Sequence, residues 1–291
     1  MTMVISGKTR VCGVIGDPIA HTLSPTIQNA AFSHLKLDFV FLAFRVKSAD
    51  LESAMRGMRG LGIHGLNVTM PHKGAVIKHL DQLDSTVQFL GSANTVLNKD
   101  GKLLGFNTDG VGALKALQEN GVKLYDKKVL LLGAGGAAKA IAFAFAEEIG
   151  ELVILNRAAE KAAELAAALN RVFGKKIVGG ALSPHAVQQN LQDADILVNA
   201  TSVGMHPNVN QSLVQPQWLR PDLAVMDIVY NPVETKLAKD AKVAGAKVIS
   251  GVEMLIHQGA ASFEIWTGCP APVEVMRQAA LSQLSRAGAE K

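Results

Sequence analysis

Little in this 291-residue chain can cross-link, chelate or stack. It has two cysteines, Cys12 and Cys269, far apart and with no C-x-x-C spacing. That predicts neither a disulfide framework nor a thiolate zinc site, and it suits a reducing cytoplasm. Aromatic residues make up only 5%, no dense basic run occurs, and the net charge is a mild +4. Nucleic-acid binding is therefore not expected, while an anionic cofactor and an acidic substrate account for the cationic surplus. Apolar runs break well before the ~18 residues of a membrane span. The opening MTMVISGKTR has no apolar signal core and leads into strand-like VCGVIG, so no leader is expected. Acids are sparse in the loops, which argues against a paired-carboxylate glycosidase, and nothing arranges a serine nucleophile. No internal repeat or low-complexity stretch is present. What remains is ample apolar material, 48% of residues against 19% charged, at a length that suggests two domains.

The densest signal is Lys127 to Arg157, KKVLLLGAGGAAKAIAFAFAEEIGELVILNR. Val129 to Leu132 fits a buried parallel strand, Gly133, Gly135 and Ala138 supply G-x-G-x-x-A, and Ala137 to Ala146 is helical in composition. Glycines there let the chain turn tightly and bring its backbone against a pyrophosphate, which the helix N-terminus favours. The second strand, Leu152 to Leu155, ends not in the acid that holds an NAD ribose but in Asn156 and Arg157. Lys161 follows one helical turn after Arg157, and so on the same face. Cations suit a 2′-phosphate, so the cofactor is expected to be NADP. A charged hydrogen bond contributes ~1.5–3 kcal/mol, so Arg157 alone could give roughly a ten- to hundredfold preference.

The whole chain reads as α/β in three zones. The first, to about Asp109, alternates strands and helices at Arg10 to Ile15, Pro25 to His34, Phe39 to Arg45, Leu51 to Leu61 and Gly65 to Thr69, which predicts a mainly parallel sheet. The second begins with a helix from Ala113 to Asn120, holds the nucleotide motif, and adds strands at Ile196 to Asn199, Ala224 to Ile228 and Lys247 to Ile249. The third, with helices at Met254 to Trp266 and Pro272 to Ala287, is too short to fold alone and is expected to return to the first. The expected domains are thus residues 1–109 plus 251–291, and residues 110–250 as a Rossmann-type NADP domain, with reaction expected in the cleft between them.

Several polar clusters sit at expected strand ends. In Gly16-Asp17-Pro18-Ile19-Ala20-His21-Thr22-Leu23-Ser24-Pro25, Ser24 either caps the next helix, with Pro25 at its first position, or joins Thr22 in offering hydroxyls to a carboxylate. In Asn67-Val68-Thr69-Met70-Pro71-His72-Lys73 a lysine stands at the mouth of the following helix, where the dipole disfavours it. His72 has no metal-type companion and reads as structural. Ser92-Ala93-Asn94-Thr95 and Asn107-Thr108-Asp109-Gly110 complete the set; Asp109 could simply cap a helix, with Gly110 easing the turn. Their recurrence at strand ends of one sheet is what points to a ligand site.

Together these pieces, with Asn199-Ala200-Thr201-Ser202, Gly204-Met205, Asp227-Ile228-Val229-Tyr230-Asn231-Pro232 and Gln258, resemble the shikimate/quinate dehydrogenase superfamily over nearly the whole chain. The resemblance implies an N-terminal substrate domain, a Rossmann-type NADP domain, and reversible hydride transfer between NADPH and 3-dehydroshikimate in the route to chorismate and aromatic amino acids. It implies Lys73 as the catalytic lysine and Asp109 as its partner. Thr22 and Ser24 would hold the substrate carboxylate, Asn67, Thr69, Asn94 and Gln258 its ring hydroxyls, and Tyr230 would lie nearby. The cofactor would meet Gly133, Ala134, Gly135, Gly136 and Ala137 at its pyrophosphate and Asn156, Arg157 and Lys161 at its 2′-phosphate. Thr201, Ser202, Gly204 and Met254 would border the nicotinamide, and Met205, Ile228 and Gly251 would also meet the cofactor. No metal is implied, and a monomer or homodimer fits equally. The superfamily usually has serine where this chain has Thr22; the added methyl can shift binding by ~1–3 kcal/mol. Quinate or an aminoshikimate therefore stands as the alternative substrate, and a catalytically silent NADP-binding regulator as the alternative outside the enzyme class.

Overall fold

The computed structural model describes residues 5–289. By internal contacts the chain forms two compact units, one of Met1–Thr108 with Ile256–Lys291, the other of Asp109–Leu255. In the first unit the chain runs β1 (Arg10–Gly16), α1 (Ser24–His34), β2 (Phe39–Arg45), α2 (Leu51–Gly60), β3 (Gly65–Val68), β4 (Gln82–Leu83), α3 (Ser85–Leu90), β5 (Thr95–Lys99) and β6 (Lys102–Phe106). The sheet order is β2-β1-β3-β5-β6-β4. β1 pairs parallel with β2 and β3, and β4 parallel with β6. β5 runs antiparallel to both β3 and β6, so a hairpin is set into an otherwise parallel sheet. The hairpin was not anticipated. Its signal was present: Asp100 and Gly101 take φ of 54° and 84°, the left-handed pair of a two-residue hairpin turn that Asp-Gly favours.

One face of this sheet is covered by Leu51, Met55 and Met58 of α2, packed with Ile15, Leu66 and Val96. Elsewhere in the unit Phe32 of α1 stacks on Phe39 and on Phe263, with ring centroids 5.0 and 5.2 Å apart. Phe263 belongs to α9 (Gly251–Thr267 in the chain's last third), which is followed by α10 (Val273–Ala289). Trp266 of α9 donates from Nε1 to the Val96 carbonyl at 3.0 Å, and a side chain at Gly65 would collide with its ring. Glycine at 65 is thus what lets the returning helix settle on β3. Pro272 precedes α10 rather than opening it, its carbonyl accepting from Met276 at 3.1 Å.

The second unit opens with α4 (Asp109–Glu119) and continues through β7 (Lys128–Leu132), α5 (Gly136–Ala146), β8 (Glu151–Asn156), α6 (Ala159–Phe173), β9 (Lys176–Ala181), α7 (Pro184–Leu191), β10 (Ile196–Asn199), β11 (Ala224–Asp227), α8 (Lys236–Val243) and β12 (Lys247–Ser250). Its six strands are all parallel, in the order β12-β11-β10-β7-β8-β9. That is the doubly wound Rossmann arrangement, with the order reversing between β7 and β10. The strands are apolar and buried, as two covered faces require: Leu130, Leu132, Val153, Leu155, Leu197 and Val225 form one core with Val187 and Leu237. Gly110 does not ease a turn. It lies inside α4, where a side chain would strike the Ala140 carbonyl and Ala144 of α5, so it permits close helix packing instead. Among the described residues no helix is long and apolar enough to cross a membrane.

Candidate active site

In the first unit the topology brings four polar segments to one end of the sheet's strands. β1 and β3 are parallel and end there in Gly16 and Val68; β5, antiparallel, begins there after Asn94, and β6 ends there before Asn107. Asn67 pairs with Thr95, and Thr95 with Phe106. The segments are cross-tied: Asp17 N–H donates to the Met70 carbonyl at 3.0 Å, Thr69 N–H to Ile15 at 3.0 Å, Val68 N–H to Asn94 at 2.8 Å and Ala93 N–H to Lys73 at 2.9 Å. The last bond places the Lys73 backbone directly beside the Asn94 strand start.

Two buried amides, Asn67 and Asn94, anchor this end, 7% and 2% exposed. Asn67 Nδ2 reaches the Ser262 hydroxyl at 3.0 Å, Thr95 Oγ1 at 3.2 Å and the Asn94 carbonyl at 3.2 Å. Asn94 Oδ1 accepts from Thr95 Oγ1 at 2.9 Å, from Thr108 N–H at 2.9 Å and from Thr108 Oγ1 at 3.3 Å. Its Nδ2 lies 2.9 Å from Thr108 Oγ1 and 3.5 Å from Gln258 Oε1. Burying a polar group without a partner costs ~1–3 kcal/mol, so such a network holds each amide one way round. Ser262, fully buried, was not singled out from the sequence. Its hydroxyl donates to the Gln258 carbonyl at 3.0 Å and meets Thr95 Oγ1 at 2.8 Å and Thr108 Oγ1 at 3.3 Å. The signal was helical spacing, because Gln258, Ser262 and Trp266 fall four residues apart on one face of α9.

Ser24 does not cap α1. Leu23 holds that position with no side-chain cap, and Ser24 is the first helical residue. The Thr22 hydroxyl instead donates to Ser24 Oγ at 3.2 Å and accepts from Ser24 N–H at 3.3 Å. Two partly exposed hydroxyls thus sit at a helix N-terminus, a place that suits an anion. Lys73 does not open a helix either: it lies in a turn before a five-residue 3-10 segment, Ala75–His79, so the dipole objection has little force. It is partly buried, as are Thr69 and Gln258. His72 is buried with a ring nitrogen 2.7 Å from the Val46 carbonyl, a structural histidine as expected, and His21 is exposed.

In the second unit Asp109 is the first residue of α4 and only 7% exposed. Gly133 closes the turn after β7 with φ of 111°, a conformation that favours glycine, and a side chain there would approach the Ala200 carbonyl to 2.8 Å. Ala134 is buried, and at Gly135 and Gly136 an added Cβ would meet nothing within 4 Å, so the space over the N-terminus of α5 is open. Ala137 follows in the first turn. An open glycine turn against a helix N-terminus is the shape a dinucleotide pyrophosphate needs, so the residues fit the group. Asn156 ends β8 and donates from Nδ2 to the Ala158 carbonyl at 3.0 Å. Arg157 and Lys161 are exposed and form no ion pair among the described residues. Arg157 stands in the bend before α6, outside the helix, so the shared-face spacing with Lys161 does not apply.

At the end of β10 the loop Thr201 to Met205 turns through Gly204 at φ of 90°. Asn199 Oδ1 accepts from the Thr201 hydroxyl at 2.7 Å and its N–H at 3.2 Å. Ser202 and Met205 are exposed. Neighbouring Asp227 is 1% exposed; burial pushes its carboxyl above the ordinary carboxylate range, against bonds from the Thr235 hydroxyl, the Val229 N–H and the Asn199 amide that pull the other way. A side chain at Gly251 would reach the Ile228 carbonyl at 2.5 Å, so these two residues touch, and Met254 is buried one turn on. Tyr230 is 38% exposed, its phenol pushed up by surrounding protein.

The family model described as the shikimate dehydrogenase substrate binding domain matches residues 14–96. Those described as shikimate / quinate 5-dehydrogenase and as the shikimate 5′-dehydrogenase C-terminal domain match residues 115–247 and 251–281. The shikimate dehydrogenase (NADP+) of Methanopyrus kandleri is 47% identical over 98% of this chain and 99% of its own length. That of Methanocaldococcus jannaschii is 43% identical over 97% of this chain and 100% of its own. A crystal structure of a shikimate dehydrogenase in complex with NADP+ superposes with a TM-score of 0.90 at 42% identity, covering 97% of this chain and 98% of that one.

Proposed function

The chain belongs to the shikimate dehydrogenase family, and from that premise we propose that it catalyses the reversible, NADP-dependent interconversion of 3-dehydroshikimate and shikimate. The observation that carries this is likeness along the full length: NADP+-dependent shikimate dehydrogenases 43% and 47% identical cover 97% and 98% of the chain. The substrate is a small cyclic hydroxy acid. The unpaired cysteines suit a reducing cytoplasm as its setting.

The unit of Asp109–Leu255 binds NADP and the other unit the substrate. Backbone N–H groups from Gly133 to Ala137, at the N-terminus of α5, hold the pyrophosphate. Arg157 and Lys161, with Asn156, hold the 2′-phosphate, while Thr201, Ser202, Gly204 and Met254 border the nicotinamide and Met205, Ile228 and Gly251 also meet the cofactor. When bound, NADPH supplies the hydride. Thr22 and Ser24 take the substrate carboxylate, since two hydroxyls and a helix N-terminus together offer donors to an anion. Asn67, Thr69, Asn94 and Gln258 sort the ring hydroxyls, with Tyr230 nearby. Lys73 gives a proton to the developing alkoxide in reduction and takes one from the hydroxyl in oxidation, so oxygen never carries full charge unassisted. Asp109 is its partner at the reacting hydroxyl.

Initial-rate oxidation of shikimate and of quinate, each with NADP+ and NAD+, tests the reading. Shikimate with NADP+ is expected to give the largest kcat/KM. A preference for quinate would make Thr22 the mark of a divergent branch, and feeble rates with every pair would overturn the substrate assignment.

A further inference from the structure

Asp227 belongs to no part of the chemistry above, yet it is the most completely enclosed carboxylate of the second unit's strand ends. It closes β11 directly beside Asn199, which closes β10, and the two residues are in register. Its Oδ1 accepts from Asn199 Nδ2 at 2.9 Å and from Val229 N–H at 3.1 Å. Its Oδ2 accepts from the Thr235 hydroxyl at 2.6 Å, and that same oxygen of Thr235 caps α8 by accepting from Ala238 N–H at 3.2 Å.

An ionised carboxylate only accepts, so it fixes which way the Asn199 amide faces. Nδ2 must turn to Asp227, where it also lies 3.3 Å from the Val203 carbonyl, and Oδ1 must turn to Thr201. With the opposite orientation Asn199 would set an oxygen against the carboxylate and an NH₂ group against the Thr201 N–H. The segment so ordered, Ala200 to Gly204, leaves β10 beside the sheet's reversal point. Its Ala200 carbonyl lies against Gly133, close enough that a Cβ there would stand 2.8 Å away. Displacement of this segment therefore presses on the glycine turn itself. The β10–β11 pairing is a backbone ladder and does not need the carboxylate.

We propose that Asp227 is a positioning residue for cofactor binding: acting through Asn199, it holds the segment 200–204 at the rim of the glycine turn. This rests on the assignment of that turn to NADP. Loss of the carboxylate frees the Asn199 amide to rotate and the segment to drift from the place its buried hydrogen bonds give it.

The test uses the full-length protein and NADPH alone, followed by fluorescence titration, with shikimate kinetics and thermal midpoints measured alongside. Asp227→Ala is expected to weaken NADPH at least about tenfold while the KM for shikimate at saturating NADPH stays within about twofold. Asp227→Asn keeps an acceptor for Asn199 and for Val229 N–H, and should recover most of the loss. Asn199→Ala leaves Asp227 its other two donors, so it keeps the fold safer and should reproduce the Asp227→Ala defect; the double variant should be no worse than either. Wild-type NADPH affinity in both alanine variants would overturn the proposal while leaving the cofactor assignment standing. So would equal losses for NADPH and shikimate without rescue by asparagine, which would mark a purely structural carboxylate. Failure of the wild-type protein to bind NADPH would sink both.

Discussion

On the proposed function, the two units prepare for their ligands in opposite ways. The first commits buried side chains: Asn67 and Asn94 are almost fully enclosed and held in place by bonds to Thr95, Thr108 and Ser262. The second commits backbone and solvated charge, with a glycine turn open above α5 and exposed Arg157 and Lys161. Neutral hydroxyls differ only in position and in donor–acceptor sense, so telling them apart requires amides that cannot flip. A phosphate asks for positive charge and N–H groups, and tolerates freedom in the cations that meet it. Selectivity on the substrate side should therefore break all at once, and on the cofactor side by degrees.

Lys73→Ala should show the largest effect, a fall in kcat of about 10²–10⁴ with a much smaller change in KM for shikimate; near-normal turnover would remove the lysine from the chemistry. Arg157→Ala should then cut the NADP+ over NAD+ preference by roughly ten- to hundredfold, read from kcat/KM with each cofactor, without moving the shikimate KM. Because the charge is exposed, added salt should shrink the wild-type preference as well. Ser262→Ala should remove the shortest of the three bonds the Asn67 amide makes, together with the links to Thr95 and Thr108, at ~0.5–1.5 kcal/mol per bond shared between fold and substrate binding. It should lower the thermal midpoint and raise the shikimate KM while NADPH affinity stays put. An unchanged shikimate KM would mean that the network is only structural. Thr22→Ser should give the smallest effect on catalysis, a shift of up to about tenfold in the shikimate-to-quinate ratio of kcat/KM.

Asp227 adds a pH test, since it is a carboxylate enclosed almost completely within the second unit. Its folded carboxyl holds a proton to higher pH than the unfolded one. The folded state therefore binds more protons over the interval above the ordinary carboxylate range, and its stability should decline as pH rises through that interval. Asp227→Asn should flatten that slope in denaturant-melt series across pH; an unchanged slope would show that the carboxyl titrates normally.

Much of this was legible in order along the chain. The second unit's strands are short, apolar and bounded, and β7, α5 and β8 carry glycines and a basic end whose spacing has one economical use. Local periodicity and turn chemistry act over a few residues, so a sequence displays them directly. Less legible was anything decided by what packs where. Whether Ser24 caps α1 depends on the chain direction entering the helix, and Leu23 took that position. Lys73 looked misplaced at a helix mouth because nothing local distinguished a helix from a 3-10 turn. Gly110 looked like a turn glycine, but α5 lies against it.

By itself, then, the sequence determined the α/β class, the parallel strands of the second unit, the glycine turn with its cationic end, and the inventory of amides, hydroxyls and one lysine at strand ends. Those are matters of composition and short-range spacing. Only the tertiary structure decided that Ser262 of a helix 195 residues away would meet Asn67, and that Asp227 would orient Asn199. Hydrogen-bond satisfaction in a dry interior is a property of neighbours in space, and the chain order holds no record of which neighbours those will be.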